Sequence, residues 1–487
     1  MPTDPVVILS CDEHTTPPLE AYRPYLERKY HARLEEQIAA MRPQMEFLKR
    51  VASIRPHQYA VADNQGALAS NGEDGAWDPK RRLMEMDREG VVWGQAHPVA
   101  NDSQTFHVQP FPASSEDFAR WGVYTPEEQL AGARAHNRWM KDFRDATDGR
   151  VDAAALIGSC IDMDATLKEL EWLAKNGFRT VMLPPPPLNA RYDRFWATAL
   201  GLDLNFAAHA GWDGYNRSGR KFPARLPQEQ VDAAVRAGLD LSQLEASRDA
   251  ADAGKFLGAA YRQFADSSRD FSAPDIEVAN VVVGNTTFDL NVRGRGALWQ
   301  LIISGALDRY PGIKVCFTEI RSDWVPATLG HLEKRLPNLD RRFELTPREY
   351  WRRNFRVGVS FIRPLEVQIR HEIGVDEMIF GRDYPHPEGT WPNTYDWIRG
   401  AFKGVPEAEA RKILGENALD WFGVDEAWAK SIAARIGPPI DDLIGPQAAV
   451  DPAKISFFHR LSNYNRPRLP HDPDELDAII DEALLVC

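Results

Sequence analysis

The chain has 487 residues, 43% of them hydrophobic and 26% charged, the proportions of a folded globular protein rather than a disordered, collagen-like or disulfide-stapled one. With 58 Lys and Arg against 71 Asp and Glu the net charge is −13, which argues against nucleic acid or an anionic membrane as the main partner. Cys11, Cys160, Cys316 and Cys487 lack CxxC spacing and suit a reducing compartment. With no signal-peptide pattern and no run near the ~20 apolar residues of a membrane helix, a cytoplasmic protein is expected.

In chain order, Val6–Ser10 reads as a buried strand leading into Asp12-Glu13-His14. A helical stretch at Arg81–Glu89 is followed by Gly90 and the strand Val91–Ala96, which ends at His97. The helix Pro126–Ala146 leads to the strand Ala153–Ile157. Another helix, Asp164–Lys175, stops at Asn176-Gly177, a C-cap signal, before the strand Thr180–Leu183 and four prolines. Asn205–Ala208 ends at His209. The helix Ala297–Asp308 precedes Lys314–Thr318, which ends at Glu319. Phe355–Phe361 and Met378–Gly381 are the last strands, the latter close to Asp383. Strands alternating with helices predict a parallel sheet, and about eight of them close an α/β barrel, here a distorted (β/α)8 TIM-like barrel.

Two stretches break the alternation, residues 16–79 and 212–291. Each follows a strand end with ionisable residues, so both are expected as helical insertions over the C-terminal face of the barrel. The barrel domain spans 1–425, and 426–487 is a C-terminal extension whose helix Asp474–Leu485 packs on the body or on a second subunit.

The acids and histidines fall at strand ends. In an extended chain Asp12 and His14 point the same way while Glu13 points away. His209, Glu319 and Asp383 end other strands, and in a parallel barrel those ends converge. Taken singly, each acid is ordinarily a helix cap or loop residue. As a set, Asp12, His14, His209, Glu319 and Asp383 point to one or two divalent ions, zinc, iron or manganese.

The segments Asp12-Glu13-His14, Met86-Asp87-Arg88-Glu89-Gly90-Val91, Asn205–Gly211, Leu307–Lys314, Phe380–Trp391 and Ile413–Asn417 resemble the amidohydrolase superfamily. The resemblance is to the branch related to aminocarboxymuconate semialdehyde decarboxylase and resorcylate decarboxylases, over roughly residues 6–210 and 295–425. It implies a distorted (β/α)8 barrel with divalent metal at the strand C-termini, and makes Asp12, His14, His209 and Asp383 ligands. Relatives usually place a catalytic His at the sixth strand end, where this chain has Glu319. The fourth strand has no lysine to bridge two ions. At Arg382, where small residues are common, a guanidinium is expected to lower the pKa of Asp383 and to hold a substrate carboxylate.

These features favour a metal-dependent hydrolase, with metal-activated water attacking an amide, ester, lactone or thioester of a bulky apolar or aromatic acid derivative. Asp383 then moves the proton, and Glu319 bridges a second ion or orients the water. His386 is a second catalytic candidate, as a partner of Asp383, a substrate contact or a further ligand. Arg321, Asp323 and Trp212 are expected at the pocket wall. The alternative is a non-oxidative decarboxylase of an aromatic or unsaturated acid; a non-enzymatic scaffold is a third reading. The expected partners are a small-molecule substrate and a second copy of the chain.

Overall fold

The computed structural model describes residues 4–54, 61–101, 106–112, 123–210, 212, 293–446, 449–462, 464–468 and 471–487. Ten strands are formed among the described residues: β1 (Ile8–His14), β2 (Val91–His97), β3 (Ala100–Asn101), β4 (Phe106–His107), β5 (Val151–Ala155), β6 (Thr180–Met182), β7 (Asn205–His209), β8 (Val315–Thr318), β9 (Phe355–Ser360) and β10 (Met378–Gly381). Eight of them make one parallel sheet in the order β1-β2-β5-β6-β7-β8-β9-β10, and β3 and β4 form a separate short hairpin. The sheet returns on itself: Asp383 donates its backbone N–H to Asp12 at 2.7 Å and His14 donates to Tyr384 at 2.6 Å. The architecture is a nearly closed (β/α)8 barrel.

Local chemistry explains the alternation. Pro126–Ala146 begins at Thr125, whose hydroxyl accepts from the Glu128 N–H while Glu128 reaches back to the Thr125 N–H, a reciprocal cap that fixes where the helix starts. Asp78 and Asp162 cap Pro79–Arg88 and Met163–Lys175. The strands are buried on both faces, as a parallel sheet under helices requires. Beneath the barrel, Asn417–Phe422 and Glu426–Ile436 pack Ala418, Trp421, Phe422, Ala429 and Ala433 against Leu9, Cys11 and Trp93.

The strands fall close to where the sequence places them; β5 runs Val151–Ala155 rather than Ala153–Ile157, and the shift in β1 is the informative one. β1 runs to His14 rather than stopping at Ser10, so Asp12, Glu13 and His14 belong to the strand itself. Its pairing with β2 is irregular between Ser10 and Glu13. At that point Gly94 is needed: a Cβ there would lie 2.7 Å from Glu13 Cγ, so only glycine lets the Glu13 side chain pass.

Between β1 and β2 the chain forms short 3-10 turns and the helix His31–Ile54, anchored by Tyr22 to His136 and by Arg33 to Glu128. The expected insertion 212–291 lies outside the described residues except for Trp212. In the extension, Pro473–Val486 packs on this same chain, where Asp477 meets His331 at 3.0 Å and Asp481 pairs with Arg335.

Candidate metal centre

Six side chains meet at the C-terminal ends of the barrel strands. Asp12 and His14 end β1, His209 ends β7, Glu319 follows β8, and Asp383 and His386 follow β10. His14 Nε2 lies 3.6 Å from Asp12 Oδ1, 3.9 Å from Glu319 Oε2 and 3.1 Å from Asp383 Oδ1. His209 Nε2 lies 3.5 Å from Asp12 Oδ1 and 2.9 Å from Glu319 Oε2. His386 Nδ1 is 3.0 Å from Asp383 Oδ1, and its ring stacks on His14 at 3.7 Å. Glu13 points away from this group, as strand geometry dictates.

The backbone holds the acids in place. Glu319 and Asp383 both adopt left-handed φ, 55° and 58°, a conformation costly for residues with a Cβ and typical of functional positions. The Glu319 N–H donates to Ser360 Oγ at 2.9 Å, and that hydroxyl donates to Asp12 Oδ2. His14 Nδ1 faces the Pro98 carbonyl at 3.3 Å and His209 Nδ1 the Ala210 carbonyl at 3.1 Å. A ring whose Nδ1–H is given to a carbonyl keeps a lone pair on Nε2, the arrangement of a histidine ligand.

These donors fit a divalent ion. Asp12 Oδ1, His14 Nε2, His209 Nε2 and both Asp383 oxygens are buried without a hydrogen-bond partner among the described residues. Buried polar atoms are ordinarily paired. Ligand atoms about 2.1 Å from one centre lie roughly 3 to 3.5 Å apart, close to the separations above. Two overlapping sets arise, His14, Glu319, Asp383 and His386, and Asp12, His14 and His209. The structure thus gathers a candidate divalent-metal site, with His14 common to both sets.

Electrostatics separate the carboxyls. Burial opposes ionisation of Asp12, but His209, His97 and Ser360 hold it below its usual value. Burial pushes Asp383 well up, and Glu319 and Asp12 add to the effect. The expected depression of Asp383 by Arg382 is therefore corrected. The Arg382 guanidinium is fully buried and turned to Glu13 and Glu89, not to the cavity, so neither that effect nor a substrate contact falls to it. Burial lowers His14, with His386, His209 and His97 contributing. It also works against a charged His209, yet Glu319 and Asp12 raise that ring well above its ordinary value.

Arg321 is buried and paired with Asp323 through Nε and Nη2, both at 3.1 Å. Trp212 is half-buried and donates its indole N–H to the Pro184 carbonyl at 3.1 Å. His97 joins the cluster from the end of β2, with its ring 4.6 Å from that of His209. Two participants escape a reading of the sequence. Ser360 occupies a strand end like the others but carries no charge to draw notice. Glu388, whose pKa is raised by burial and by Glu319 and Asp12, lies in a loop with no periodic signal.

The family model for amidohydrolases matches residues 11–424. The chain belongs to the amidohydrolase family. It is accordingly an enzyme of that superfamily. No curated protein matches it in sequence. An amidohydrolase from Mycobacterium avium subsp. paratuberculosis is similar in structure, with TM-score 0.52 and 18% identity, covering 87% of this chain and 99% of that one. The 5-carboxyvanillate decarboxylase of Sphingomonas paucimobilis gives TM-score 0.47 and 16% identity, over 86% of this chain and 100% of that one. A dihydroxybenzoic acid decarboxylase from Polaromonas sp., solved with bound manganese, gives 0.43 and 16%, over 77% and 96%. At these identities the likeness is one of fold.

The hydrolytic expectation is corrected here. Similar solved structures described by a reaction include 5-carboxyvanillate and dihydroxybenzoate decarboxylases, and hydrolysis is set aside in favour of the decarboxylase alternative.

Proposed function

We propose that this amidohydrolase is a divalent-metal-dependent, non-oxidative decarboxylase of an aromatic or unsaturated carboxylic acid. The observation that carries the reading is Asp383, a fully buried carboxyl whose oxygens have no hydrogen-bond partner among the described residues and whose Oδ1 lies 3.1 Å from His14 Nε2 and 3.0 Å from His386 Nδ1, beside the other ligand atoms. Loss of CO2 from such an acid requires a proton delivered to carbon, and a carboxyl in that place is positioned to deliver it.

Asp12, His14, His209 and Glu319 would hold the ion. Carboxylate and imidazole donors suit manganese, zinc or iron; manganese, named with the Polaromonas structure, is our choice for loading. When bound, the cation neutralises the substrate carboxylate and fixes its orientation. Asp383 gives its proton to the carbon bearing the carboxylate. The bond from that carbon to the carboxylate then breaks, CO2 leaves, and the bonding pair remains with the ring or alkene. Asp383, now ionised, regains a proton across its 3.0 Å contact with His386 Nδ1. Overall, substrate carboxylate plus one proton gives the hydrogen-bearing product and CO2.

The test is a panel of hydroxybenzoates and carboxylated phenols given to the manganese-loaded protein in D2O. One CO2 per substrate and a single deuterium at the vacated carbon are expected. A fully loaded protein that releases no CO2 from any of them, while cleaving an ester or lactone panel, would overturn the proposal.

A further inference from the structure

Ser360 is the last residue of β9 and only 4% exposed. Its hydroxyl has one hydrogen, and that hydrogen goes to Asp12 Oδ2. Its lone pairs face the Glu319 N–H, at 2.9 Å. One oxygen therefore joins two acids from different strand ends, Asp12 on β1 and Glu319 after β8. The neighbourhood leaves the hydroxyl little freedom: a Cβ on Gly381 would lie 3.0 Å from Ser360 Oγ and 3.0 Å from Asp12 Cβ. The seam is built to bring Asp12 and Ser360 together over a glycine.

The two oxygens of Asp12 are unequal as a result. Oδ2 is taken by the hydroxyl. Oδ1 has no hydrogen-bond partner among the described residues and faces His14 at 3.6 Å, His209 at 3.5 Å and His97 at 3.9 Å. A carboxylate with one oxygen committed offers an ion a single atom. At the same time the bond from the Glu319 N–H steadies a left-handed residue, and so aims Oε2 at His209.

We infer that Ser360 is a positioning residue of the metal centre, whose hydroxyl makes Asp12 a one-oxygen ligand and locks Glu319 in the orientation that completes the ligand set. This rests on the metal site of the proposed function and adds to it the group that fixes its coordination. Without the hydroxyl, Asp12 is free to turn and chelate through both oxygens, while Glu319 loses its tether. Partners that orient metal ligands are worth about 10- to 100-fold in affinity.

The experiment compares wild type with Ser360→Ala and Ser360→Thr, using Co(II) and Mn(II) as the ions. Measured are the dissociation constant, the visible absorption of bound Co(II) and the Mn(II) electron paramagnetic resonance spectrum, with circular dichroism to confirm folding. Ser360→Ala is expected to bind about 10- to 100-fold more weakly and to shift both spectra. Ser360→Thr, which restores a hydroxyl, should recover the wild-type spectra. A merely structural serine would leave the spectra of the bound ion unmoved. If Ser360→Ala does not fold, Ser360→Cys keeps a side chain of similar shape with a weaker donor and should shift the spectra in the same sense. A folded Ser360→Ala protein with wild-type affinity and spectra overturns the inference while leaving the metal site intact. A wild-type protein that binds neither ion overturns the metal site itself, and this inference with it.

Discussion

Glu13 and Arg382 form a two-point ion pair across the seam where the barrel closes, Nε to Oε1 at 2.9 Å and Nη2 to Oε2 at 2.6 Å. Arg82 adds a bond from Nη1 to Glu13 Oε2 at 2.8 Å, and Glu89 meets Arg382 Nη1 at 3.4 Å. Glu89 is itself held by the N–H and hydroxyl of Thr394, at 2.9 and 2.7 Å. Glu13 thus lies between two guanidiniums in the interior, with Glu89 beside the second. Glu13 lies between Asp12 and His14, and Arg382 immediately precedes Asp383, so the pair sets the distance between the first and last strand ends.

Removing one member strands the other. Arg382→Met leaves Glu13 with Arg82 alone and Glu89 without its buried cation. Breaking a buried pair costs about 3–5 kcal/mol. Denaturant unfolding of the metal-free protein should show a loss of that order. Because the guanidinium does not face the cavity, KM of folded, metal-loaded Arg382→Met should stay within about twofold of wild type; a large rise in KM alone would return Arg382 to the substrate.

Asp383→Asn removes the transferable proton and keeps the shape. With Asp12, His14, His209 and Glu319 holding the ion, metal content should be unchanged while kcat falls about 10²- to 10⁴-fold, the usual worth of a positioned acid. Atomic absorption alongside turnover separates the two roles: loss of metal together with activity would make Asp383 a ligand rather than the donor.

Much of this is legible in the sequence because barrels write their function at strand ends. His209, Glu319 and Asp383 each follow an apolar run, and parallel topology does the rest. The helix Pro126–Ala146 matches to the residue because Thr125 and Glu128 mark its start chemically. β1 reads short because hydropathy does not register Asp12, Glu13 and His14 as strand, although all three are buried there. Arg382 misleads for a different reason. Its partner is 369 residues away, reached only after closure and only past Gly94. Ser360 escapes notice because a hydroxyl gains its meaning from what it touches. The reaction type is misread when Glu319 is weighed by its identity alone.

His209→Ala should abolish most metal binding and leave the barrel folded. The side chain is only 14% exposed, and its Nε2 lies within 3.5 Å of both Asp12 and Glu319, so its loss leaves two carboxylates facing each other without the imidazole between them. Inductively coupled plasma analysis after dialysis against limiting Mn(II) should fall below a tenth of the wild-type occupancy, with little change in far-ultraviolet circular dichroism. Full occupancy in this variant would remove His209 from the ligand set.

The last expectation concerns stability against acid, and a histidine far from the metal. His136 lies on the helix Pro126–Ala146, 1% exposed, with Nδ1 2.8 Å from the Tyr22 hydroxyl. Burial pushes its pKa down to about 3 from an ordinary 6.5. The folded protein therefore holds a neutral ring, while the unfolded chain takes up a proton below about pH 6.5. Between those limits the unfolded state binds more protons, so stability rises with pH and is lost as the pH falls from about 6.5 toward 3. Across that window each pH step of one costs about 1.4 kcal/mol, so the full loss amounts to a few kcal/mol. His136→Gln keeps a hydrogen-bonding group for Tyr22 but cannot take up that proton. Its unfolding free energy, measured by urea titration at about pH 7.5 and pH 5.0, should change less between the two than that of wild type, by about 2 kcal/mol. Equal acid sensitivity in the two proteins would mean that His136 titrates normally in the folded state.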